Sequence, residues 1–123
     1  QEVVGIDEEK QIENDEILNY VRKMGRFFLE KLTELYNKYE KIGDIRVIGL
    51  MGAIELVENR DTKEKAAELA EKIMYRCLDK GLSFKVSQGN VLTLMPPLII
   101  TEEELNHAVI LLDEALSEEL SGR

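Results

Sequence analysis

In the run Val91-Leu92-Thr93-Leu94-Met95 a single hydroxyl alternates with apolar side chains, the spacing of a strand with one polar contact to offer. Successive strand residues take opposite faces, so if Leu92 and Leu94 face a core, Thr93 points to the open side of the sheet. There it can exchange a hydrogen bond with a ligand, although a β-branched strand residue also needs no ligand to explain it. Arg46 lies in another apolar run, where a solvated or ion-paired side chain is the expectation and no catalytic role is assigned. Lys85, between Phe84 and Val86, alternates with core-like neighbours and is expected to face away from them as an exposed lysine. His107, the one histidine, stands beside an apolar helical stripe without a second His or Cys one turn away, so the spacing supplies no metal site. Cys77 falls on such a stripe and reads as core packing rather than a nucleophile. Glu102-Glu103-Glu104 suits the first turn of a helix, where carboxylates meet the positive end of the macrodipole; Asp7-Glu8-Glu9 and Glu118-Glu119 read as solvated faces. No glycine-rich phosphate loop joins a strand to a helix.

The elements that must hold these residues follow from periodicity and punctuation. Residues Gln1 to Asn14 show no sustained period and read as an irregular lead-in, leaving 15–123 as the domain. From Asp15, a candidate N-cap, apolar residues recur every three or four positions through Met24, Phe28, Leu32, Leu35 and Tyr39, with Gly43 as the expected stop. Gly25 inside this helix costs about 1 kcal/mol relative to Ala and suggests the close approach of another backbone. Ile45–Ile48 and Met51–Val57 read as two strands joined tightly at Gly49. Thr62 is the expected cap of a second helix with Ala66, Leu69, Ala70, Ile73 and Cys77 buried, and Gly81 ends it. Strands at Leu82–Ser87 and Val91–Met95 flank a Gln88-Gly89-Asn90 turn, Pro96 and Pro97 close the second, and Thr101 with Glu104 forms a capping box for the last helix. The order helix, two strands, helix, two strands, helix implies an α+β fold: a small antiparallel sheet covered on one face by three helices.

At 123 residues and 14.1 kDa the chain fits one domain with one core. A formal net charge of -9 disfavours nucleic acid, which needs clustered cations to displace counterions. One cysteine allows no internal disulfide, and no apolar run is long enough for a membrane span, so a cytoplasmic protein without a membrane partner is expected. The first residue is Gln1 rather than Met, which suggests a piece of a longer polypeptide.

Gly89 to Leu105, Ile42-Gly43-Asp44-Ile45-Arg46 and Gly49-Leu50-Met51-Gly52-Ala53-Ile54-Glu55-Leu56 together resemble the C-terminal small domain of the class III pyridoxal-phosphate aminotransferases, which include 4-aminobutyrate, ornithine and acetylornithine aminotransferases. The likeness runs from about Ile12 to Leu116. It implies the C-terminal fold of fold-type I pyridoxal-phosphate enzymes and a parent enzyme that is a homodimer and moves an amino group from an amine or amino acid to a keto acid. It further implies that the large domain of the same enzyme supplies the Schiff-base lysine and binds the cofactor, so the isolated chain is expected to be inactive and cofactor-free. The family usually has a carboxylate-binding arginine three residues before the proline pair, where this chain has Thr93, and a glycine at Val47. A hydroxyl cannot reproduce the bidentate grip of a guanidinium, so Thr93 is the expected substrate-wall position but names no substrate. The resembling group includes transaminases, racemases and decarboxylases. The alternative is a free-standing, non-catalytic interaction or scaffold module, with Ala53, Val57, Val91, Thr93 and Met95 exposed on its open sheet face.

Overall fold

A computed structural model describes the backbone of residues 8–121 and the side chains of 14–120. Helix α1 spans Glu8–Lys38, and its 31 residues present Met24, Phe28, Leu32 and Leu35 in one buried stripe. Strands β1 (Ile42–Ile48) and β2 (Met51–Leu56) follow, then α2 (Ala67–Asp79), β3 (Lys85–Ser87), β4 (Val91–Leu94) and α3 (Glu102–Ser121). All neighbouring strands are antiparallel, in the order β1-β2-β4-β3. The three helices pack on one face of this sheet, so the expected α+β architecture is the observed one. Ile54, Leu56, Leu92 and Leu94 point into the shared core with the stripes of all three helices.

Two glycines set how closely α1 lies on the sheet. A Cβ at Gly25 would stand 2.5 Å from the carbonyl oxygen of Gly49 in the β1–β2 turn, the close backbone approach expected from sequence. A Cβ at Gly52 would stand 2.5 Å from the Phe28 ring, which fills the space that glycine leaves. Gly49 itself has φ +60, a left-handed conformation that a β-branched residue could not hold without strain.

The ends of the elements show where tertiary contacts override local signals. Helix α1 begins at Glu8, so residues 8–14, expected as irregular, are helical and Asp15 is not its N-cap; residues 1–7 lie outside the described residues. Gly43 does not stop α1. It lies in β1, where the pairing with β2 shifts register, and a Cβ there would press on Val57 at 2.8 Å. The helix instead ends at Lys38, and Arg60 takes up carbonyls on both sides of that end. Its guanidinium donates to Tyr36 O (2.6 Å), Tyr39 O (3.1 Å) and Ile42 O (2.9 Å) and lies 4.0 Å over the Tyr36 ring. Several donors in one rigid fork can satisfy orphan carbonyls that a helix end leaves.

Thr62 does not cap α2. Asn59 Oδ1 accepts from the amides of Asp61 (2.7 Å) and Thr62 (3.2 Å), folding the segment into a turn that Glu58 N closes onto Glu64 O (2.7 Å). Val57 then bridges Lys65, and α2 starts only at Ala67. At its other end the Leu82 amide donates to Cys77 O (2.8 Å) and the Gly81 amide to Leu78 O (3.0 Å), with Gly81 at φ +94, the glycine-terminated helix end that sequence implied. The capping box of α3 is present: Glu104 N donates to Thr101 Oγ1 (3.1 Å) and Thr101 N to Glu104 Oε1 (3.0 Å). Tyr20 donates its hydroxyl proton to Ile100 O (2.6 Å), tying the segment after Pro96 and Pro97 to α1.

Two substitutions test this framework. Gly25→Ala would gain about 1 kcal/mol in an unconstrained helix, yet here the new methyl meets backbone that cannot step aside; net destabilisation of about 1–3 kcal/mol is expected in urea denaturation. Arg60→Ala leaves carbonyls at the end of α1 without their donors and is expected to cost about 2–3 kcal/mol by the same measurement, with Arg60→Lys recovering only part because an ammonium cannot span the same acceptors.

Candidate functional site

Because the helices occupy one side of the sheet, the alternate residues of each strand form a second, helix-free face. Strand register aligns them in two rows. Arg46, Ala53, Thr93 and Lys85 are paired in sequence across β1, β2, β4 and β3, and Asp44, Glu55, Val91 and Ser87 form the adjacent row. Thr93, expected on this side, is there and partly buried. Its Oγ1 lies 3.2 Å from Ser87 Oγ, a diagonal hydroxyl pair across the β3–β4 hairpin. Ser87 was not singled out from sequence. Its signal was available, since a residue two positions after Lys85 on the same strand must share its face.

The two cations of the first row have different surroundings. Arg46 Nη1 lies 2.6 Å from Asp44 Oδ2 and 4.0 Å from Glu55 Oε1, the ion-paired role expected of it. Lys85 is exposed, as expected, and makes no ion pair among the described residues.

The expected apolar patch is smaller than sequence suggested. Met95 is 70% exposed, but Ala53 is 9%, Val91 7% and Val57 0% exposed. Ala53 is a small residue flanked in register by the longer Arg46 and Thr93, and Val91 lies between Glu55 and Ser87. Val57 is covered where Gly43 brings the β1 backbone against it.

The other candidates stand apart from this face. Cys77 is fully buried on α2, and burial pushes its thiol up to about 12, far from a thiolate nucleophile at neutral pH. His107 is exposed on α3. Among the described residues no group of three or more His, Cys, Asp or Glu side chains could hold a metal ion, and no helix is long and apolar enough to cross a membrane. Glu118 joins Arg76 (3.2 Å) and Lys80 (3.0 Å) in links from α3 to α2, and the Lys80 hydrogen bond holds its carboxyl below the ordinary range. These exposed pairs contribute little to stability.

Three helices on one side of a four-stranded antiparallel sheet, with a polar row on the other, define a small α+β domain of the kind found in aminotransferases. The family model for class III aminotransferases matches residues 3–116, and the chain belongs to that family. It is 45% identical over 106 residues to an (R)-1-hydroxy-2-aminoethylphosphonate ammonia-lyase from Vibrio splendidus, a match covering 86% of this chain and 22% of that protein. To a leucine/methionine racemase from Thermococcus litoralis it is 37% identical over 114 residues, covering 93% of this chain and 26% of the relative. Among solved structures, the PMP-bound form of an aminotransferase from Vibrio fluvialis superposes with a TM-score of 0.76 at 30% identity, over 85% of this chain and 24% of that one. The chain thus spans about a quarter of the length of the relatives it matches.

The state of Cys77 is directly measurable. Its folded pKa is raised above the unfolded value, so the stability that the buried neutral thiol contributes is complete below about pH 9 and is lost as pH rises toward 12. A thiol-disulfide reagent at pH 8 is expected to leave Cys77 unmodified in the folded protein and to label it rapidly in urea.

Proposed function

We propose that this chain is the C-terminal small domain of a class III, pyridoxal-phosphate-dependent enzyme, and that it forms one wall of the substrate pocket around Thr93. The parent enzyme is a cytoplasmic homodimer that transfers an amino group from an amine or amino acid, such as 4-aminobutyrate, to a keto acid. The observation that carries this reading is the helix-free sheet face itself: a hydroxyl pair and a cation set in a rigid antiparallel register, in a chain matched by the class III family over residues 3–116. A rigid wall of this kind excludes water and orients a substrate whose chemistry proceeds elsewhere.

Pyridoxal phosphate needs a lysine withdrawn from water, an acid at the pyridine nitrogen and a phosphate cradle. Every described lysine is exposed or only half-buried, and no glycine-rich turn opens a described helix, so the described residues do not by themselves fit the cofactor. Its anchoring belongs, in this reading, to the large domain of the same enzyme. The racemase and lyase among the relatives keep two other reactions at an amine-bearing carbon within reach of the same scaffold.

The isolated chain, supplied with pyridoxal phosphate, is expected to show no turnover of any amine, while the full-length protein converts an amine and a keto acid to the exchanged pair, read by chromatography of both products. Turnover by the isolated chain would sink the assignment of chemistry to the missing part. A full-length protein that racemises or eliminates without exchanging amino groups would replace the transfer reaction by one of those.

A further inference from the structure

Among the described residues Asn90 is the one buried polar residue, 1% exposed where the β3–β4 turn meets the end of β2. One step beyond the paired Glu55 and Val91, it stands opposite Leu56. Two residues so placed in an antiparallel ladder can exchange a pair of backbone hydrogen bonds. Here the backbone makes only half of the exchange. Leu56 N donates to Asn90 O (2.9 Å), while Asn90 N donates instead to Ser87 O (3.2 Å) and closes the turn. The Asn90 carboxamide supplies the missing half, its Nδ2 donating to Leu56 O at 2.8 Å. Leu56 O also accepts from Ala66 N (3.1 Å), so one carbonyl joins β2, β4 and the approach to α2.

The turn by itself determines register poorly. Gln88 has φ 55, a left-handed conformation that costs any residue with a Cβ, and β3 offers β4 only three residues. Burial of Leu92 and Leu94 excludes a slip of β4 by one residue, which would carry both to the open face. It does not exclude a slip of two, which keeps every side chain on its own face and brings Thr93 opposite Glu55 or Met51 in place of Ala53.

We propose that Asn90 is a positioning residue for the open face: its carboxamide, standing in for the amide that the turn consumes, holds β4 in the one register that sets Thr93 against Ala53. This role rests on the preceding reading that the face lines the substrate pocket, and adds the group that determines which part of the pocket wall Thr93 occupies. Asn90 touches no substrate and acts only through β4.

Cross-linking in the full-length enzyme reads the register without any substrate. Leu56 and Asn90 occupy a hydrogen-bonded position, so Ala53 and Thr93, three steps on, form a non-hydrogen-bonded pair, with Cα atoms about 4.5 Å apart and within disulfide reach. Under mild oxidation Thr93→Cys is expected to link to Ala53→Cys and not to Glu55→Cys, with the joined peptides identified by mass spectrometry. Adding Asn90→Ala should shift the ratio of the two products toward Glu55→Cys by about fivefold, the worth of one net hydrogen bond. Asn90→Asp keeps the shape but, ionised, has no proton to donate. It should match Asn90→Ala at pH 8 and return toward the parent ratio at pH 6, because burial against a carbonyl raises a carboxyl pKa and the protonated acid regains a donor. A ratio unchanged in both variants overturns the proposal. If Asn90→Ala fails to melt cooperatively, Asn90→Asp carries the test alone, and a ratio that acid does not restore overturns it. With the amine that the full-length enzyme exchanges, Asn90→Ala should raise KM about fivefold and leave kcat nearly unchanged; a fall in kcat alone counts against a positioning role. Absence of amine turnover would count against the amino-transfer reading instead, since cross-linking needs no turnover.

Discussion

The seat of α1 on the β1–β2 hairpin is the contact on which the rest of the domain depends. Gly25 lets the Gly49 carbonyl come within van der Waals reach of the helix, and Gly52 leaves a space that the Phe28 ring fills. Two missing side chains, one on each partner, therefore set the distance and rotation of the helix that lies against β1 and β2. With that distance set, Ile54, Leu56, Leu92 and Leu94 meet Met24, Phe28 and Leu32 in one close-packed core, and α2 and α3 complete the same layer. The helix-free face is the other side of this arrangement: every residue the core takes leaves its strand neighbours facing outward.

Polar contacts fasten the irregular segments to that frame. Arg60 binds the end of α1 and the start of β1 through three carbonyls, and Tyr20 holds Ile100 after the proline pair. Tyr39 and Lys38 both engage Asp113, joining the end of α1 to α3. The Asn90 side chain donates to Leu56 O at 2.8 Å in a buried position, which locks the β3–β4 turn against the end of β2. That last contact matters for the candidate site, because the turn determines that Lys85 falls opposite Thr93 and Ser87 diagonal to it.

Much of the fold was legible because its signals are local. The capping box at Thr101 and Glu104, the glycine end of α2 at Gly81 and the turn at Gln88-Gly89-Asn90 each depend on a few adjacent residues. The apolar stripes follow from helical period. Even the close approach at Gly25 was visible as a residue too costly for a helix interior without a packing reason. Thr62 and Gly43 misled for the opposite cause. Thr62 has the chemistry of a helix cap, but Asn59 and the Glu58–Glu64 contact hold its segment in a turn, and Gly43 has the chemistry of a helix stop but serves where β1 shifts register. Which use such a residue finds depends on partners far along the chain.

The candidate site divides in the same way. Alternation along each strand determined from sequence alone that Thr93 and Lys85 turn away from the core, since the two faces of a strand are a property of the backbone. Membership of the class III aminotransferase family was also carried by sequence motifs. Only the tertiary structure decided that Thr93 stands opposite Lys85 and touches Ser87, that Arg46 is already paired while Lys85 is not, and that Ala53, Val57 and Val91 are buried. Strand pairing and register join residues distant in sequence. No local propensity specifies them, because they emerge only when the shared core selects one alignment of the sheet.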